Sequence, residues 1–138
     1  MRYVVVLCFA QTGSEMNRMS KRLKIDDLAM LQIDHLVAQL EGYYQIRSHG
    51  EFTIRIDEDG RVCFHTQSGR IFPFAPTVDW RQCGPIIENS HISIEKLAAG
   101  WRAHHAGTAV ATGPTAPIAA MRSRLKMKYG DSVEVDEA

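Results

Sequence analysis

The sequence predicts an α+β fold: an antiparallel β-sheet of about four to six short strands, packed in two layers with an N-terminal and a C-terminal helix. Three observations carry this. Apolar residues recur at helical spacing near both ends of the chain. Short alternating segments separated by Gly and Asp turns fill the middle. The length of 138 residues, 45% of them apolar and 23% charged, fits one soluble domain with its own core.

The first helix is expected over Asp26 to Glu41, where Ile25, Leu28, Ala29, Ile33, Leu36, Val37 and Leu40 form one stripe. Asp26 fits an N-cap and Gly42 a left-handed C-cap. His35 lies off the centre of the stripe and reads as an exposed helix histidine. A first short strand is expected over Tyr44 to Ser48. Phe52, Ile54 and Ile56 then alternate inward along a second strand. Asp59-Gly60 is a hairpin signal, and Val62 and Phe64 face inward on the return. Pro73 demotes Ile71 to Phe74 to an edge strand or extended segment. Ile92 to Leu97 and Trp101 to His105 form a hairpin through Ala98-Ala99-Gly100, and Thr108 to Thr112 is a weaker strand. A closing helix runs from Ala116 to Tyr129, with Pro117 in its first turn, Gly130 ending it, and Ile118, Met121, Leu125 and Tyr129 as its stripe. The acidic tail reads as fraying, with Val133 and Val135 able to dock.

The flanks are less regular. Met1 to Ala10 places one Arg before a short apolar run, a superficial likeness to a signal peptide. Leu7 before Cys8 is too large for a lipoprotein cleavage site. Export, an extra strand through Val4-Val5-Val6, and an extension upstream of a natural start at Met16 or Met19 are the alternatives, with the last preferred. Residues 11–24 read as linker. Residues 1–22 are thus set apart as an extension, and residues 23–138 form the single domain.

Charge and cysteine usage narrow the function classes. Sixteen basic and sixteen acidic side chains balance to a formal charge of +0, so no global attraction to nucleic acid or anionic membrane exists. Three cysteines, Cys8, Cys63 and Cys83, have no CxxC spacing, which argues for a reducing, cytoplasmic compartment rather than a disulfide framework. No run reaches transmembrane length. Cys63, His65, Cys83 and His91 match no zinc pattern, and adjacent His104 and His105 point to opposite faces of a strand. Phosphate-loop, dinucleotide and nucleophile-elbow motifs are absent. No enzyme, metal or cofactor is therefore expected.

Residues 77–92 are the least periodic and most particular stretch. Asp79 suits a turn cap, Trp80 needs a pocket and a partner for its indole, and Gly84-Pro85 reads as a bend. Two readings stand. The stretch is a connection anchored by an indole seated beneath the Gly-Pro bend, or a binding rim built from Asp79, Trp80, Arg81 and Glu88. A second candidate surface is the closing helix, with Arg122, Arg124, Lys126 and Lys128. Arg122 and Lys126 flank one side of its apolar stripe, Arg124 and Lys128 the other, where such residues lay their stems over the core edge.

Asp79-Trp80, Gly84-Pro85-Ile86-Ile87-Glu88, Ile92, Trp101-x-Ala103, Gly113-Pro114-Thr115, Ile118-Ala119-Ala120-Met121-Arg122 and Tyr129-Gly130-Asp131 occur in that order. In order and spacing this resembles the NinX-like family of small phage and prophage proteins, over about Leu23 to Val133. The chain departs from that pattern between Leu97 and Gly113, where it is rich in Ala and His. The resemblance implies a cytoplasmic, phage- or prophage-derived accessory protein with no established activity and no catalytic residues to carry over. The reading that follows is a non-enzymatic interaction module that acts on a host or phage protein through the Trp80–Glu88 region. The alternative is a nucleic-acid-binding accessory protein that uses the closing helix. Neither involves a membrane, and both are compatible with a homodimer.

Overall fold

The computed structural model describes the backbone of residues 4–6, 19–46 and 51–137, and the side chains of residues 20–41 and 51–135. Among the described residues, nine strands and three α-helices follow in the order β1 (Val4–Val6), β2 (Met19–Lys24), α1 (Met30–Ile46), β3 (Phe52–Ile56), β4 (Val62–Thr66), β5 (Ile71–Phe74), α2 (Trp80–Asn89), β6 (Ile92–Lys96), β7 (Trp101–His105), β8 (Thr108–Gly113), α3 (Ala116–Tyr129) and β9 (Ser132–Glu137). The strands form three small sheets, ordered β1-β9-β2, β3-β4-β5 and β6-β7-β8. All neighbours are antiparallel except β1 and β9, which run parallel.

The predicted helix-on-sheet packing occurs twice. α1 covers β3 and β4, α3 covers β6, β7 and β8, and the two helices meet each other. Under α1, Phe64 is 1% exposed and sits between Phe52, edge-on at 5.5 Å, and Phe74 at 5.2 Å. Such offset aromatic pairs add to what burial alone contributes. On the other side, Ala119, Ala120 and Met121 are fully buried. Small residues there let α3 approach the strands closely. A Cβ on Gly113 would stand 3.0 Å from the Ala119 amide nitrogen. Ser123, also fully buried, donates its hydroxyl to the Ala109 carbonyl at 2.7 Å.

The closing helix has the predicted bounds. Thr115 caps it by accepting from the Ile118 amide, Pro117 lies in the first turn, and Gly130 ends it at φ 79°. The hairpin through Ala98-Ala99-Gly100 forms as β6–β7. A second hairpin follows at once, because His105 pairs with Thr108 and leaves a two-residue loop. Ala106 and Gly107 both take positive φ, 49° and 81°. Positive φ at both positions is the type I′ turn, where Asn-Gly is preferred and a β-carbon without a local partner is strained. Ala106→Asn is therefore expected to raise stability by roughly 0.5–1 kcal/mol. Thermal unfolding checks this; since Ala106 is exposed, a lower midpoint would mean that the turn is of another type.

Several expectations need correction. α1 begins at Met30, not Asp26, behind a short 3-10 turn over Ile25–Asp27. Gln32 reaches back to accept from the Ala29 amide at 2.9 Å, which is half of a capping box. The helix also runs through Gly42 to Ile46. Tyr44 to Ile46 are thus helical rather than the start of a strand, and Arg47 and Ser48 lie outside the described residues. His35 is 1% exposed, not on the surface. Residues 33–38 are buried around the whole helix because a sheet covers one side and α3 the other. Residues 19–24 form a strand rather than linker, paired along their whole length with β9. The tail docks as the middle strand of that sheet, with Val133 and Val135 buried, at 2% and 1% exposure. Val4–Val6 pair with β9 as well; Cys8 and Met16 lie outside the described residues.

Candidate functional site

Residues 75–79 link β5 to α2, and three side chains tie this connection down. Gln82 accepts from the Ala75 amide and donates to the Pro73 carbonyl, each at 2.7 Å. Asp79 caps α2, accepting from the Arg81 amide at 2.9 Å. From α1, Asp34 accepts from the Thr77 amide at 3.1 Å and from the Thr77 hydroxyl at 2.9 Å. A connecting segment with this many specified bonds is a rigid platform, not a loose loop.

Over this platform lies a pocket of about 260 Å³. Its walls are apolar, built from Met30 and Leu31 of α1, Val62 of β4, and Phe74 and Val78 around the connection. Asp34, Thr77 and Arg61 are the lining residues with polar side chains. Asp34 is 7% exposed. Burial pushes its carboxyl up to about 6, against the lowering effect of the two Thr77 bonds. Arg61 does not compensate it, since its guanidinium lies 3.0 Å from Asp59 and 3.6 Å from Asp57. Behind the platform the buried Cys83 thiol is pushed up to about 12, mainly by burial and further by the Asp34 charge. It is therefore an inert core thiol. Burial also lowers the pKa of neighbouring His35.

The indole of Trp80 is not seated beneath a Gly-Pro bend. It is 54% exposed, and Gly84 and Pro85 continue α2. The missing Pro85 amide leaves the Arg81 carbonyl without its helical partner, but both residues lie on the water side, where solvent supplies the bond. Cys83 and Ile86 form the buried side of α2 instead. Among the rim candidates, Asp79, Trp80 and Arg81 are together at the helix start, and Arg81 lies 3.4 Å from Asp79. Glu88 is exposed two turns further along, about 12 Å up the axis at 1.5 Å per residue.

The basic residues of α3 are engaged at home. Arg122 donates to the Thr112 carbonyl at 2.7 Å, and Arg124 pairs with Glu41 at 2.7 Å. Lys126, with a side chain 8% exposed, reaches Asp26 at 3.0 Å and the Val110 carbonyl at 2.9 Å. Lys128 also has an interaction partner. Arg122, Arg124 and Lys126 thus tie the helix to neighbouring segments.

Sequence reasoning missed Asp34, Thr77, Met30 and Val78. A signal for Asp34 existed: it falls four residues after Met30 and three before Val37, on one side of the helix. Among the described residues, no three His, Cys, Asp or Glu groups gather where one metal ion could be held. No described helix is long and apolar enough to cross a membrane.

Fold and site together define a small α+β protein with a rigid apolar pocket lined in part by a buried acid. The chain matches the family described as bacteriophage P22 NinX over residues 24–128 and belongs to that family of phage proteins. No curated protein matches it.

Proposed function

We propose that the protein is a phage accessory protein that binds another protein without catalysing a reaction. The contact face is the platform between α1 and α2. The observation that carries this is the gathering of large apolar side chains in water there. Met30 is 41%, Val78 63% and Trp80 54% exposed. Met30 and Val78 border one pocket, and Trp80 follows two residues on. Rigid backbone with exposed aromatic and aliphatic side chains beside a pocket is how binding hot spots are built.

Site-specific photo-crosslinking in infected host cells tests the reading. A crosslinker at position 78 or 80 is expected to give one adduct of defined mass. A crosslinker at Val110, exposed on β8, is expected to give none. Val78→Asp is expected to abolish the adduct formed from position 80. Identical adducts from all three positions, or none from any, would overturn the proposal. The adduct mass also distinguishes a foreign partner from a second copy of the chain.

A further inference from the structure

We infer that the pocket over Asp34 receives a single lysine or arginine side chain of the partner polypeptide, with its aliphatic stem against the apolar walls and its cationic head on the Asp34 carboxylate. This rests on the contact face proposed above and adds the chemistry of what enters it. Three observations select the occupant.

The first is charge. Asp34 and Arg61 are the ionisable residues lining the pocket, and Arg61 is already paired with Asp57 and Asp59. Asp34, nearly buried in the lining, is the charge left without a counterpart. Cys83 carries no positive charge in either protonation state, and burial disfavours the imidazolium of the adjacent His35.

The second is hydrogen-bonding capacity. A carboxylate offers about four acceptor positions, and Thr77 uses two. What remains suits a donor that brings several N–H groups, which ammonium and guanidinium do. The Thr77 bonds hold the carboxylate in place before the guest arrives.

The third is size and lining. At about 260 Å³ the pocket falls below the roughly 300–1,000 Å³ usual for small-molecule and cofactor sites. An apolar wall ending in one buried acid matches a side chain that is itself aliphatic along its stem and cationic at its tip.

The test uses the full chain and four blocked amino-acid probes, followed by NMR at the Thr77 amide and the Asp34 carboxyl carbon. The probes are Nα-acetyl-lysine methylamide, its arginine equivalent, and the neutral norleucine and glutamine equivalents. At pH 7.5 the lysine or arginine probe is expected to bind at least ten-fold more tightly than norleucine and to lower the Asp34 titration midpoint. In Asp34→Asn that preference is expected to shrink to within two-fold. Norleucine binding as well as lysine in the native protein would overturn the assignment, as would tighter glutamine binding or no response from any probe. If the probes fail while Val78→Asp still abolishes crosslinking, the contact face stands and the basic guest is wrong. If the probes select as expected while crosslinking ignores Val78→Asp, the pocket chemistry stands and the docking reading is wrong.

Discussion

Replacing Asp34 with asparagine is expected to make the protein more stable at neutral pH, by up to about 3 kcal/mol. The carboxyl titrates near 6 in the folded chain against 3.8 for the free group. Between those values the folded state holds a proton that the unfolded state has released. Stability therefore falls as pH rises through this window, and above it the full cost of burying the charge is present. Asparagine keeps both links to Thr77: its carbonyl accepts from the amide, and its NH2 donates to the hydroxyl oxygen. It carries no charge to desolvate. Urea unfolding of both proteins at pH 7.5 and pH 4 reads the effect. The variant should gain at the higher pH and lose the gain near pH 4. His35 has the opposite dependence, losing stability as pH falls, since burial lowers its pKa; it is present in both proteins and cancels in the difference. A variant that is less stable at both pH values would mean that the carboxylate is worth more in place than its burial costs. A stabilising change in the lining of the proposed contact site is also the usual signature of a residue kept for binding rather than folding.

Gly100→Ala is expected to act in the other direction, with a loss of about 2–5 kcal/mol. Two costs combine: the left-handed backbone, roughly 1–2 kcal/mol, and overpacking, roughly 1–3 kcal/mol. Gly100 has φ 96°, and a Cβ there would lie 2.6 Å from the Gly113 carbonyl oxygen. That oxygen belongs to the backbone of β8, which is held down by α3, so it cannot swing aside as a side chain would. Gly60→Ala is the control. Its φ is 82° and a Cβ there meets nothing within 4 Å, so only the backbone cost of about 1 kcal/mol applies. Denaturation midpoints of the two variants side by side separate strain from collision. Equal losses would show that β7 and β8 are not so close at this turn.

What could be read from the chain alone follows from how local each cause is. α3 was legible because Pro117 and Gly130 mark its ends by their own backbone chemistry. The β6–β7 hairpin was legible for the same reason. The second hairpin carries Ala106-Gly107 in place of the usual Asn-Gly, which hid its turn. β2 was not legible because Met19 to Lys24 is basic and polar; it is a strand only because β9 pairs with it from the far end of the chain. Gly84-Pro85 read as a bend, but Asp79 caps the helix and Cys83 and Ile86 bury its other side, and that packing outweighs the local signal. His35 and Asp34 are polar residues in a helix covered from two sides, and no periodicity rule anticipates a second cover. Of the candidate site, the surface position of Trp80 and the cap at Asp79 were within reach of one reading. The pairing of Asp34 with Thr77 was not, since 43 residues separate them.

The β1-β9-β2 sheet imposes an order on folding. Arg22 bonds Ser132 across 110 residues, and every rung of β2 waits for the same distant segment. As the chain leaves the ribosome, the meanders β3-β4-β5 and β6-β7-β8 can close from neighbouring residues, while β2 remains an unpaired basic ribbon until residues 132–137 have been made. The lysines and arginine along it, Lys21, Arg22 and Lys24, keep that waiting ribbon from sticking to other chains. The same charges that disguised it as linker protect it during synthesis.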